Sequence, residues 1–325
     1  MELKEFLAEW HNDTPRILVH TSGSTGKPKP LMVEKRRMLN SARITCDFLG
    51  LKPGDTALLC MPLDYIAGKM MVVRSLQRNL QLTTVRPSSH PLADDALPSF
   101  TFAAMVPMQV YNTLKVPCER ERLMHIHHLI IGGGAISDEL AQMIKPLPNA
   151  VWSTYGMTET LSHIALRRLN GPDASLWYTP FDGVGISLNA DGCLVIDAPE
   201  VCAEPLVTND IAQLRTDDHT GKTLFRIKGR KDNVVCSGGI KIQIEEVEET
   251  LRPHLSAPFM IIKRQDEMLG EKAILLTESA DLTHIEEICR NTLPKYWVPR
   301  EFLHIDHLPL TETGKPKRTL PFTPR

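Results

Sequence analysis

The sequence predicts an α/β protein. A large N-terminal domain with mostly parallel, layered sheets is expected over residues 1–229, and a small mobile α+β domain over residues 230–325. Three observations carry this. Short apolar runs alternate with helical patterns as far as residue 228, the signature of strand–helix–strand units forming a covered parallel sheet. Beyond Arg230 the pattern restarts as a compact helix–strand–strand–helix–strand series of ordinary domain size. The chain, at 325 residues, is long enough for one large and one small core.

In order, the apolar run Ile17-Leu18-Val19 reads as a short buried strand, followed by a polar glycine-containing loop. Leu39, Ala42, Cys46 and Leu49 mark one helix face. Residues 56–60 read as a strand, and Ile66, Met70, Val73, Leu76 and Leu80 as the face of a second helix. Further strands are expected at 101–106, 129–131 and 151–154, with a helix near 137–145. From 182 to 228, Asp191-Gly192 and Thr220-Gly221-Lys222 suggest hairpin turns around a strand at 193–196. The small domain offers a helix (Ile244, Val247, Leu251), strands at 258–263 and 272–277, a second helix (Leu282, Ile285, Cys289, Leu293) and a strand at 301–305. The tail, 306–325, rich in Pro, Thr, Gly and Lys, is expected to be a mobile loop.

Bulk composition excludes several classes. Hydrophobic residues make up 42% and charged residues 23%, as in an ordinary globular protein. With 37 basic against 39 acidic residues, no general attraction to nucleic acid or membrane is expected. The seven cysteines are scattered without a C-x-x-C pair, which fits reduced thiols in the cytoplasm. The opening MELKEFLAEWHNDTPR has no apolar signal core, and no run reaches membrane-spanning length. His125, His127 and His128 look metal-like but stand beside an apolar strand without acidic partners.

The most informative segment is Thr21-Ser22-Gly23-Ser24-Thr25-Gly26-Lys27-Pro28-Lys29. Glycines bring backbone N–H groups close to an anion, hydroxyls add donors and lysine adds a point charge, so the loop suits polyphosphate. A flexible polar surface loop has the same composition. It is not a Walker A loop, because Gly23 and Gly26 enclose two residues and Pro28 follows Lys27.

This order resembles the phosphate loop of the adenylate-forming enzymes: acyl-CoA synthetases, adenylation domains and luciferases. Further matches follow in the family's order, so the resemblance runs from residue 20 to 318. Gly132-Gly133-Gly134-Ala135 resembles the Gly-Gly-Ala segment whose backbone lines the adenine pocket, though a tight strand–helix turn also needs small residues. Tyr155-Gly156-Met157-Thr158-Glu159 resembles the Tyr-Gly-x-Thr-Glu motif. The resemblance implies that Tyr155 packs on adenine, Thr158 contacts the α-phosphate and Glu159 binds Mg²⁺. Thr208-Asn209-Asp210 resembles Thr-Gly-Asp, with Asp210 on the ribose hydroxyls and Asn209 replacing glycine. From Gly229 to Glu248 the chain resembles the family's hinge, Ser-Gly-Gly loop and acidic helix. Arg230 would contact ribose or phosphate, Asp232 would be the hinge, and Ser237, Gly238 and Gly239 would approach the coenzyme A channel. Thr311-Glu312-Thr313-Gly314-Lys315 resembles the closing motif, which makes Lys315 the adenylation lysine.

The resemblance implies two half-reactions. A small carboxylic acid attacks MgATP to give an acyl-adenylate and pyrophosphate. A domain swing then withdraws Lys315 and admits a thiol, that of coenzyme A. The segment Pro62-Leu63-Asp64-Tyr65-Ile66-Ala67-Gly68-Lys69, leading to Arg74-Ser75-Leu76, looks like the acyl-pocket segment of o-succinylbenzoate–CoA ligases of menaquinone synthesis. Tyr65 and Gly68 would line an aromatic slot, and Lys69 or Arg74 would meet a second carboxylate. An amphipathic helix with both cations solvated is the plainer alternative. Family members carry a much longer segment before the phosphate loop than the nineteen residues here, so an N-terminally shortened version of the fold is expected. Another aryl or short-acyl CoA ligase, a carrier-protein adenylation enzyme and a non-catalytic nucleotide-binding regulator remain alternatives, and the oligomeric state, homodimer included, stays open.

Overall fold

A computed structural model describes residues 1–20, 30–218, 220–309 and 317–318. The chain divides into two compact units, one of Met1–Ile186, Ile196–Leu206 and Leu214–Phe225, the other of Ser187–Val195, Val207–Gln213 and Arg226–Arg325.

The larger unit opens with α1 (Leu3–His11), which buries Phe6 and Trp10, one turn apart, with ring centroids at 6.0 Å. β1 (Arg16–His20) and β2 (Pro30–Glu34) form a separate antiparallel pair. Here the structure corrects the expectation of a wholly buried run at 17–19. Ile17 and Val19 point inward, while Leu18 is 37% exposed opposite Met32, because a two-stranded pair buries only one face of its period-two pattern. α2 (Lys35–Phe48), β3 (Thr56–Leu59), α3 (Ile66–Arg78), β4 (Gln81–Thr84), β5 (Phe102–Met105), α4 (Pro107–Lys115), α5 (Pro117–Met124), β6 (His128–Ile131), α6 (Asp138–Ile144), β7 (Ala150–Gly156), β8 (His163–Arg168) and β9 (Thr179–Pro180) follow.

The seven strands from β3 to β9 make one sheet in the order β4-β3-β5-β6-β7-β8-β9. The pairs from β4 to β7 are parallel, whereas β7–β8 and β8–β9 are antiparallel. All four residues of β5 are buried, as a central parallel strand requires. α4 and α5 each begin with a proline at the first turn, where its missing N–H costs nothing.

Strands β10 (Gly185–Leu188), β11 (Cys193–Asp197), β12 (Leu206–Thr216) and β13 (Thr223–Arg230) form a four-stranded sheet. The smaller unit continues with a 3₁₀ turn (Lys231–Asn233), β14 (Val234–Ser237), β15 (Ile240–Gln243), α7 (Ile244–Leu251), β16 (Phe259–Asp266), β17 (Gly270–Thr277), α8 (Leu282–Thr292) and β18 (Glu301–His304). Alternation splits its core in two. Ile261 and Leu275 pack with Val247 and Leu251 of α7 and Ile285 and Cys289 of α8, while Met260, Ile262, Ile274 and Leu276 pack with Ile305 on the other face.

The tail expected to be loose is tied where it is described. The Lys317 N–H donates to the Pro309 carbonyl at 2.8 Å, and Arg318 makes two hydrogen bonds to Glu248 on α7. Among the described residues no helix is long and apolar enough to cross a membrane.

Candidate active site

In the larger unit the conspicuous turns lie at the carboxyl ends of adjacent parallel strands. β6 ends at Ile131 in register with Ser153 of β7, so Gly132 sits beside Thr154. A Cβ on Gly132 would fall 2.5 Å from the Thr154 hydroxyl oxygen, and Gly133 has φ +81°, so the glycines are needed by close approach and by a left-handed backbone. Gly133 and Ala135 are exposed at this edge.

β7 ends in the Tyr-Gly-Met-Thr-Glu turn. The Tyr155 ring packs edge-on against Phe225 at 5.0 Å and near Tyr178 at 5.7 Å, which leaves it half-buried. A Cβ on Gly156 would lie 2.3 Å from the Ser162 carbonyl oxygen and 2.5 Å from the His163 Cα, both backbone atoms. The turn is closed by Thr160, whose hydroxyl accepts from the Met157 N–H at 2.9 Å, and by Leu161 at φ +65°, a left-handed value rare for a branched side chain. Thr158 is buried and Glu159 exposed, so the carboxylate faces solvent where a hydrated cation can reach it.

Helix α3 carries the expected acyl-pocket residues. Tyr65, its N-cap, is 41% exposed. Gly68 is required because a Cβ would meet the Pro62 carbonyl oxygen at 2.3 Å. The plainer alternative of two solvated cations does not hold: Lys69 is 3% exposed and Arg74 2%, because Gly68 to Ser75 is buried without interruption rather than on one face. The two cations have different surroundings. Lys69 Nζ donates to the Leu18 carbonyl at 2.7 Å and lies 5.9 Å from the Phe6 ring centre, and burial lowers its pKa. Arg74 donates to the Ser162 hydroxyl and to the Met71 sulfur at 3.8 Å, its Nε is buried without a partner, and no carboxylate pairs with it among the described residues. Burial draws the guanidinium down to about 10, so it remains charged at neutral pH.

In the smaller unit, three of the expected residues come together. Arg230 reaches Asp210 at 3.3 Å with one nitrogen and Asp232 at 3.0 Å with the other. The Asn209 amide donates to Asp232 at 3.3 Å, and the Asp210 N–H donates to the Thr208 hydroxyl at 3.0 Å. Gly238 and Gly239, at φ +57° and +83°, form the two-residue turn between β14 and β15, with Ser237 the last residue of β14. That hairpin alone requires both glycines.

Thr21, Ser22, Gly23, Ser24, Thr25, Gly26 and Lys27 of the phosphate loop, and Lys315, lie outside the described residues. Among the described residues no group of three or more His, Cys, Asp or Glu is placed to hold a metal ion, the histidines near residue 125 included. The sequence assigns no role of their own to Glu248 and Arg318, which fall inside the matched motifs, and carries no sign of Thr45, Ser162 and His163. All are buried or half-buried and join segments far apart in the chain.

A glycine turn and a Tyr-Gly-Met-Thr-Glu turn at the carboxyl ends of neighbouring parallel strands place this protein among nucleotide-handling α/β enzymes. The chain belongs to the AMP-binding enzyme family, which matches residues 4–203. It is 25% identical over 334 residues to the 2-succinylbenzoate–CoA ligase of Bacillus mycoides, covering 94% of this chain and 69% of that protein. The solved structure of an acyl-CoA synthetase (AMP-forming)/AMP-acid ligase II-like protein from Dyadobacter fermentans is 33% identical with a TM-score of 0.66, over 97% of this chain and 91% of that one. The O-succinylbenzoate coenzyme A synthetase of Bacillus subtilis, solved with ATP and a magnesium ion, shares the fold at TM-score 0.72 and 23% identity, over 93% and 68% of the two chains. The protein is an AMP-forming ligase.

Proposed function

We propose that this ligase converts o-succinylbenzoate to its coenzyme A thioester through an acyl-adenylate. The observation that carries the choice of acid is Arg74: a fully buried, charged guanidinium with an unpartnered Nε and no carboxylate beside it among the described residues. Burying such a charge is costly unless an anion completes it. An acid with two carboxylates offers one to the reaction and one to this arginine. Lys69 already holds the Leu18 carbonyl, two residues before His20, so its proposed part is to fix β1 where the phosphate loop begins.

The remaining roles follow from the residue chemistry. Tyr155 stacks on adenine beside the backbone of Gly133, Gly134 and Ala135. Asp210 accepts from the ribose diol, with Arg230 alongside it. Thr21 to Lys27 hold the β- and γ-phosphates, and Thr158 the α-phosphate. Mg²⁺ arriving with ATP needs only one or two carboxylates besides phosphate oxygens and water, and the exposed Glu159 fits that demand. Lys315 offsets the charge that develops as the carboxylate attacks the α-phosphorus. Rotation about Asp232 then removes Lys315 and brings Ser237, Gly238 and Gly239 to the coenzyme A channel.

The test is pyrophosphate release by the full chain with MgATP, coenzyme A and o-succinylbenzoate, beside benzoate, a fatty acid and no acid. Release and thioester formation that depend on o-succinylbenzoate support the assignment. Release with another acid keeps the chemistry and rejects this substrate. Silence with every acid, alongside measurable AMP binding, turns the assignment to a nucleotide-binding regulator.

A further inference from the structure

The hydrogen bonds behind Arg74 run in one direction. Thr45 Oγ1 lies 3.1 Å from the Ser41 carbonyl oxygen, which can only accept, so the threonine proton goes there. Thr45 must then accept from His163 Nε2, also at 3.1 Å, which fixes the hydrogen on that nitrogen. Burial, with Arg74 nearby, holds the His163 pKa well below its ordinary value, so the ring is neutral and Nδ1 is bare. Nδ1 accepts from the Ser162 hydroxyl at 3.1 Å. With its proton committed, Ser162 Oγ is left to accept from the Arg74 guanidinium. Each hydroxyl donates once and accepts once, and the chain ends on the charged group.

Ser162 also belongs to the turn that carries Thr158 and Glu159. Its N–H donates to the Thr160 carbonyl at 2.7 Å, and the residue before it, Leu161, is the one in the left-handed conformation. A residue held in that region is maintained by its surroundings. One serine therefore joins α3, α2 (through His163 and Thr45) and the Tyr-Gly-Met-Thr-Glu turn.

We propose that the Thr45–His163–Ser162 relay fixes the Arg74 guanidinium in a single orientation, with its Nε edge presented to the anionic end of the acid, so that Ser162 and His163 are positioning residues that set the preference for a dianionic over a monoanionic acid. The inference rests on the reading of Arg74 given above. A merely structural serine would lower stability and slow all acids alike. A positioning serine changes the ratio between acids.

The experiment compares pyrophosphate release with o-succinylbenzoate and with whichever of its two monomethyl esters remains a substrate, which is the same acid with one charge removed. The ratio of KM for the ester to KM for the diacid is measured in the parent, Ser162→Ala, Ser162→Thr and Arg74→Ala, with the melting temperature recorded for each. In Ser162→Ala the ratio should fall about tenfold, the loss of one hydrogen bond to a charged group, and Ser162→Thr, which keeps the hydroxyl, should restore most of it. If Ser162→Ala does not fold, Thr45→Val is measured in its place, with the same fall expected. A ratio within twofold of the parent in the relay variant, while Arg74→Ala abolishes the preference, overturns the relay and leaves the arginine reading standing. An unchanged ratio in Arg74→Ala overturns the arginine reading, and the relay with it.

Discussion

The Arg318–Glu248 contact lends itself to a quantitative prediction. Glu248 is 8% exposed on α7, a position it cannot leave without unwinding the helix. Its Oε1 accepts from the Ile261 N–H at 2.7 Å and from Arg318 at 2.6 Å, and its Oε2 from the second Arg318 nitrogen at 2.8 Å. Arg318 also donates to the Ile261 carbonyl at 2.6 Å. The hydrogen bonds and charge of Glu248 outweigh burial and raise the Arg318 pKa. Removing one member of such a pair strands the other, at a cost of about 3–5 kcal/mol for a fully trapped charge. The two members are not equally trapped. Replacing Arg318 by methionine leaves the carboxylate fixed on its helix, and we expect about 3 kcal/mol of local destabilisation. Replacing Glu248 by methionine frees an arginine that is only half-buried and whose long side chain can turn toward water. What remains is an unpaired Ile261 N–H, at about 1–2 kcal/mol. The double methionine variant should be no less stable than Arg318→Met alone, since it removes the stranded carboxylate. Amide hydrogen exchange over β16 in the full chain reads this locally and avoids assuming that both units unfold together. Equal costs for the two single variants, or a loss below about 1 kcal/mol for Arg318→Met, would refute the argument that the pair is buried and unequally trapped. Arg318 is three residues past Lys315, so Arg318→Met should also slow adenylation more than thioester formation from supplied acyl-adenylate.

Other outcomes follow from the same geometry. Gly156→Ala forces a Cβ against the Ser162 and His163 backbone and should cost about 1–3 kcal/mol of stability, together with most of the adenylation rate; a fully active variant with an unchanged melting temperature would contradict the close approach of these backbone segments. Of the seven cysteines only Cys118 and Cys236 are exposed, and burial pushes Cys60 up to about 12 and Cys289 to about 11. A thiol reagent at pH 8 should therefore modify two groups quickly in the native protein and all seven in denaturant. His163 has a depressed pKa in the fold, so between that value and the unfolded value the unfolded chain binds the extra proton, and stability falls as pH drops below about 6.5. One such histidine removes about 1.4 kcal/mol between pH 7.5 and 5.5, and His128, also lowered by burial, acts in the same direction. A stability curve flat across that range would mean that His163 is protonated in the native state, and the relay's proton order would be wrong.

What could be read from the sequence is what local backbone chemistry writes there. The turns at Gly133, Gly156 and Gly238-Gly239 are legible because a left-handed φ or a contact with backbone excludes a side chain, and only glycine satisfies either. The strands β5 and β6 are legible as short apolar runs because a parallel sheet buries both faces. The helices α4 and α5 were hidden by Pro107 and Pro117, which act here as first-turn residues rather than as breakers. The surroundings of charge are the part that sequence cannot reveal. A helical period leaves open whether Lys69 and Arg74 meet a second carboxylate or water, and the unbroken Met70-Met71-Val72-Val73 run between them is the available sign that α3 has no wet face along that stretch. Thr45 and His163 are separated by 118 positions and Glu248 and Arg318 by 70, so nothing local announces either contact. The residues that hold the chemistry lie in short motifs, whereas those that aim it are paired across the chain, and the second group becomes visible only when each buried donor is traced to its acceptor. Traced in that way, the Arg74 Nε is one of the buried donors left over among the described residues, beside those of Arg78, Trp152 and Arg167, and the acid is what we expect to complete it.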